Sequence, residues 1–85
     1  MPEISRFLGI IIYMNFYDHS PPHFHAKYGA YEIIVEIKTG VVKGKFPRRA
    51  MTIVLEWFTL HQQNLLINWE NAQQGLPLIN LAPLE

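Results

Sequence analysis

Hydrophobic residues occupy both parities of the chain from Ile4 to Tyr17: Ile4, Leu8, Ile10, Ile12, Met14 and Phe16 on one side, Phe7, Ile11, Tyr13 and Tyr17 on the other. A run of this kind predicts one strand covered on much of both faces, with Gly9 marking a bulge or a close backbone approach. Asp18 to Pro22 follows, where a turn-forming aspartate and two consecutive prolines predict a rigid loop. His23 to Tyr28 and Tyr31 to Lys38 flank Gly29-Ala30, and glycine in the first central position suits a type II′ hairpin. In that register His23 opposes Glu36, Phe24 opposes Val35, His25 opposes Ile34 and Lys27 opposes Glu32. The faces then sort without adjustment. Phe24, Ala26, Tyr28, Tyr31, Ile33, Val35 and Ile37 share one, while His23, His25, Lys27, Glu32, Glu36 and Lys38 share the other. A second hairpin through Thr39-Gly40 pairs Ile37 with Val42, Glu36 with Lys43, Val35 with Gly44 and Ile34 with Lys45.

Beyond Pro47, the residues Met51, Val54, Leu55, Phe58, Leu65, Leu66, Trp69 and Ala72 recur at helical spacing until Gly75 and Pro77 end the pattern. The polar run His61-Gln62-Gln63-Asn64 interrupts this stripe, so either one long helix or two short ones are predicted. Trp57 and Trp69 lie about 120° apart around an ideal helix. Core packing is expected for both, with a role as interface anchor the alternative for Trp57. The segment from Leu76 to Leu84 is apolar but carries Pro77 and Pro83, which predicts an extended stretch packed on the core or on a partner. The fold class expected is therefore α+β: a four-stranded, mainly antiparallel sheet followed by one long or two short C-terminal helices. A chain of 85 residues buries one modest core, so a single domain spanning 1–85 is expected.

Charge narrows the list of partners. Seven basic and seven acidic side chains balance, so no overall field draws the chain to nucleic acid or to an anionic membrane. The absence of cysteine excludes disulfides and a thiolate zinc site, and a reducing cytoplasm is the expected location. The first residues carry neither the charged nor the apolar block of a signal peptide, and no apolar run approaches the ~20 residues needed to span a bilayer.

Three of the four histidines fall between Asp18 and His25. The predicted register turns this stretch into a surface, with His23, Glu36 and Lys43 in one cross-strand row and His25, Ile34 and Lys45 in the next. Directly opposed Cβ atoms lie ~4.5–5.5 Å apart, close enough for His23 to hydrogen-bond Glu36. One reading is metal-independent acid/base chemistry on RNA. His23 and His25 would exchange protons, Glu36 would orient His23, and Lys43, Lys45 and Arg49 would hold phosphate. Five of the seven basic residues lie between Lys38 and Arg49, with no acid from Glu36 to Glu56, which supports a local phosphate site. Asp18, His19, Pro21 and Pro22 would shape the loop beside it. No cofactor is required, although His23, His25 and Glu36 would make a two-histidine, one-carboxylate set for a divalent metal, with His19 or Asp18 able to approach from the loop. A third reading is a non-catalytic module that docks a small protein partner or a second copy of itself. The bland alternatives are a solvated, lysine-protected hairpin edge and histidines that only close a proline-rich turn. His61, on the helix stripe, is expected to be a half-buried packing residue. Arg6 is expected to be a partly buried guanidinium paired with a carboxylate or a backbone carbonyl, with substrate binding the alternative.

The opening Met-Pro-x-Ile-Ser-Arg-Phe, the motif Asp18-His19-x-Pro21-Pro22-His23-Phe24-His25-Ala26, and the later Leu55-Glu56-Trp57, Leu60-His61, Leu65 and Asn68-Trp69 resemble a small bacterial family known as domain of unknown function 4160. The likeness covers nearly the whole chain. It implies no assigned reaction and no catalytic residues to carry over. Members of that family look like partners of another small protein in two-gene modules of toxin–antitoxin character, which implies a protein partner and RNA as target.

Overall fold

A computed structural model describes residues 2–85, so Met1 lies outside the described residues. The chain forms β1 (Glu3–Phe7), β2 (Ile10–Tyr13), β3 (His23–Tyr28), β4 (Tyr31–Glu36) and β5 (Val42–Lys45), followed by the helix α1 (Arg48–Gln73). The strands lie in the order β1-β2-β3-β4-β5, each antiparallel to its neighbours. The fold is α+β as expected, but with five strands where the hydrophobic pattern predicts four. The extra strand comes from the run Ile4 to Tyr17. Leu8 and Gly9 take φ values of 51° and 81°, so the chain reverses there and Phe7 faces Ile10 across the hairpin. A two-residue turn with both central residues at positive φ normally announces itself through Asn-Gly or Asp-Gly. Leucine in the first position hides it.

The β3–β4 register is the predicted one at every pair, from His23 opposite Glu36 to Tyr28 opposite Tyr31, and Gly29 takes a φ of 57° at the turn. The β4–β5 register differs by two residues: Val35 faces Val42, Ile34 faces Lys43 and Glu32 faces Lys45. The cause lies in Ile37, which is fully buried and donates its N–H to Pro22 O, ahead of β3, over 2.9 Å. The turn therefore widens from two residues to four, 37–40, closed by Glu36 N–H to Val41 O and Gly40 N–H to Glu36 O. A shift of two keeps the parity of every side chain, so both faces survive the correction.

The helix is a single element of 26 residues. Its polar run does not break it. Gln62 donates to Ile37 O over 2.7 Å and so ties the helix to the β4–β5 turn. Phe24, Ile33, Val35 and Ile37 from one sheet face pack with Ile4, Ile10, Ile12 and Met14 against Val54, Trp57, Phe58, Leu65 and Trp69. Trp57 is fully buried between Phe7 and Phe24, which makes it a core residue rather than an interface anchor. His61 is partly buried with its ring on Trp57, as its position on the stripe implies. The tail beyond the helix is extended and packs on the core, where Leu81 is buried and donates its N–H to Ile4 O. Arg6 is paired with Glu3 as expected, but the pair sits in solvent rather than partly buried.

Candidate functional site

The two-residue period of β3 sends Phe24 and Ala26 into the core and His23 and His25 to the other side of the sheet. Lys27 shares that side. Tyr13 joins it from β2, opposite His25, and Glu32, Ile34, Glu36, Lys43 and Lys45 join it from β4 and β5. What makes this face concave is the segment between β2 and β3, which folds back over the start of β3. Tyr17 donates its N–H to Ala72 O at the end of the helix, and Gln73 donates its side-chain amide to Asp18 O over 3.1 Å. The helix C-terminus thus clasps the loop and aims Asp18 at the two imidazoles.

Asp18 Oδ1 accepts the His19 backbone N–H, leaving Oδ2 to face the rings. Oδ2 lies 3.0 Å from His23 Nε2 and 3.4 Å from His25 Nε2. Burial alone would raise the Asp18 carboxyl, but the His19 N–H and the imidazoles of His25 and His23 outweigh it and hold it below the usual aspartate value. The group is an anion at neutral pH. His23 Nδ1 donates to Pro21 O over 2.8 Å, and the ring packs against Trp69 at 5.1 Å. His25 stacks on Tyr13, with ring centroids 4.6 Å apart and planes within 11°. Its Nδ1 faces Glu32 Oε2 at 3.5 Å, within ion-pair range, but makes no hydrogen bond and is a buried, unpartnered nitrogen. Glu32 is itself held by the Tyr13 hydroxyl, which donates to Oε2 over 2.7 Å. Burial, followed by the Glu32 hydrogen bond and the charges of Glu32 and Asp18, pushes the Tyr13 phenol up to about 12.

Asp18, His23 and His25 line a cavity of about 370 Å³ together with Asn15, His19, Ser20, Pro21, Ile34, Glu36 and Lys43. Most of the residues singled out in sequence therefore meet in one place. Glu36 does so in a different role. It faces His23 in register, yet its carboxylate accepts from Thr39 over 3.2 Å and lies 3.7 Å from Lys43 Nζ. The carboxylate beside the histidines is Asp18, expected to shape the loop and, as an alternative, to approach a metal from it. The three groups whose donor atoms converge, all within 4.8 Å of one another, are Asp18, His23 and His25, and these could hold a metal ion. Lys45 stands opposite Glu32, exposed and off the cavity wall. Arg49 lies on the helix side of the sheet, in a separate apolar cavity with Leu8, Ile10 and Tyr28. Pro22 contributes its carbonyl to Ile37 instead of lining the site. Tyr13 and Glu32 were not anticipated as site residues. Glu32 shared the histidine face in the predicted register, whereas Tyr13 joins it only through the β2–β3 pairing.

A five-stranded antiparallel meander capped by one helix, with a histidine–aspartate pocket on the uncovered sheet face, defines a small α+β domain built around one polar cavity. Residues 9–70 match the model of the family described as domain of unknown function (DUF4160), and the chain belongs to that family. No curated protein and no solved structure matches the chain. No helix is long and apolar enough to cross a membrane among the described residues.

Proposed function

We propose that this domain binds RNA in the histidine cavity and acts on it there, within a cytoplasmic two-protein module of toxin–antitoxin character. The observation that carries this reading is the cavity itself. It is the polar concavity of the fold that collects titratable groups, the default place for a ligand. Lys43 stands on its wall as a phosphate contact, and Lys45 flanks it on the same strand. Asn15, Ser20 and His19 add hydrogen-bonding groups suited to a sugar or base edge. Simple proton exchange between His23 and His25 fits less well than the sequence alone implied, because His23 Nδ1 is committed to Pro21 O and both Nε2 atoms face the same carboxylate.

The test is fluorescence anisotropy of a short labelled single-stranded RNA with the purified chain, together with RNA cleavage and growth on expression. Saturable binding that weakens with salt, and several-fold further in Lys43→Ala, is expected. Absence of RNA binding at low salt, with no cleavage and no growth effect, overturns the proposal. Stable co-purification with a small protein through the same cavity would then favour the docking reading.

A further inference from the structure

We infer that Asp18, His23 and His25 form a binding site for one divalent transition-metal ion, zinc in the first instance, that opens onto the cavity. The inference deepens the RNA reading, because a divalent cation supplies positive charge beside the Lys43 contact, but its geometry does not depend on RNA.

The distances fit first. A tetrahedral ion with bonds of ~2.0–2.1 Å has ligand–ligand edges of about 3.4 Å. Asp18 Oδ2 lies 3.0 Å from His23 Nε2 and 3.4 Å from His25 Nε2, and the three donor atoms all fall within 4.8 Å of one another. Two imidazole nitrogens and one carboxylate oxygen suit zinc, nickel, cobalt or iron rather than calcium or magnesium. Three protein ligands leave a coordination position, and the cavity lies on the open side.

The far sides of the rings point the same way. A metal-bound histidine almost always gives its other ring N–H to a carbonyl or a carboxylate. His23 donates Nδ1–H to Pro21 O, which as a carbonyl can only accept. Nε2 is then the ring nitrogen turned to the Asp18 carboxylate, 3.0 Å away, where a metal ion can take the place of a ring proton. His25 completes the pattern. Its Nδ1 is a buried nitrogen without a hydrogen-bond partner, and Glu32 waits 3.5 Å away with Tyr13 holding it in place. Ligation through Nε2 leaves Nδ1–H as a donor, and a movement of a few tenths of an ångström gives it the Glu32 carboxylate. Glu32 and Tyr13 are therefore positioning residues for His25.

The experiment uses the full chain with any histidine tag removed and bound metal stripped by chelator. Zinc is titrated in by calorimetry without RNA, and zinc-dependent 15N shifts of the histidine ring nitrogens are recorded in parallel. We expect one ion per chain at micromolar affinity or better, with the Nε2 resonances of His23 and His25 moving and those of His19 and His61 staying in place. Asp18→Asn and His25→Gln should weaken binding at least about a hundredfold, and Glu32→Gln or Tyr13→Phe about tenfold to a hundredfold. His61→Gln should leave it unchanged. Absence of stoichiometric binding, or binding that leaves the Nε2 atoms of His23 and His25 unmoved, overturns the inference, and a proton then occupies the gap between His23 and Asp18. The ring-nitrogen readout on the wild-type chain decides the matter even if a ligand variant fails to fold. Metal binding without RNA binding would retire the RNA reading and leave this site standing; RNA binding by a chain that takes up no zinc would do the reverse.

Discussion

At the scale of single residues, Tyr13 ties the core strand β2 to the chemistry of the opposite face. The residue is 5% exposed, and its phenol is pushed up to about 12 from an ordinary value of 10. In the unfolded chain it titrates at the ordinary value. Stability from this group is therefore complete below pH 10 and is lost as pH rises towards 12, because only the unfolded state releases the proton in that interval. Two units correspond to roughly 2–3 kcal/mol as an upper bound. Absorbance at 295 nm on the folded chain should show one tyrosinate appearing only near pH 12, and Glu32→Gln should bring that step to lower pH, since Glu32 supplies the hydrogen bond and part of the charge. An unmoved step in Glu32→Gln would mean that burial alone sets it. Gly75 makes a second residue-scale point. A Cβ there would collide with the Tyr17 hydroxyl, and the glycine φ is 70°. Gly75→Ala should therefore disturb the loop that carries Asp18, seen as weaker zinc binding than in wild type while the sheet signals of an amide spectrum remain.

At the scale of elements, the same pleat that made the central hairpin legible left its flanks obscure. Alternation along His23–Tyr28 and Tyr31–Glu36, with Gly29 at the turn, admitted one register, and that register holds at every pair. Ile4 to Tyr17 carried apolar residues on both parities, so nothing in the pattern marked the reversal at Leu8-Gly9. The β4–β5 pairing was ambiguous by two residues because either choice preserves the faces; the Ile37–Pro22 hydrogen bond, a contact distant in sequence, decided it. For the same reason, the site was legible as far as local geometry reaches. His23, His25, Glu36 and Lys43 could be put on one face from period two alone, whereas the approach of Asp18 depends on the helix end, some 55 residues further on. The corrected register also gives Gly44 a purpose. It takes a φ of 111° and lies against β4 so closely that a Cβ would stand 2.6 Å from Glu32 O. Gly44→Ala should cost about 2 kcal/mol or more by urea denaturation and loosen β5 first, measured as faster amide exchange at Lys43 and Lys45 than in β3. Equal protection of β5 in the variant and in wild type would refute the close approach.

At the scale of the whole molecule, the extended tail decides how much stability so small a core can hold. Three buried or half-buried polar groups look to it. Trp57 donates its indole N–H to Ala82 O over 2.9 Å. The fully buried Asn68 donates to Ile79 O and accepts from Ile79 N–H, over 2.9 and 2.8 Å. Leu81 N–H bonds Ile4 O on β1, the outer strand of the sheet, while the Leu81 side chain closes the core. Removing residues 77–85 would expose that strand, uncover Trp57 and leave the Asn68 amide without partners. At about 1 kcal/mol for each of four hydrogen bonds and about 2 kcal/mol for Leu81, the loss is roughly 6 kcal/mol. That is comparable to the whole stability of a domain this size, at ~0.05–0.15 kcal/mol per residue. The truncated chain should therefore be largely unfolded at 25 °C, with red-shifted tryptophan emission and no cooperative urea transition. Asn68→Ala in the full chain tests the same contact at smaller cost, with an expected loss of about 2–3 kcal/mol. A truncated chain that keeps the wild-type urea midpoint would show that the strand edge and Trp57 need no cover.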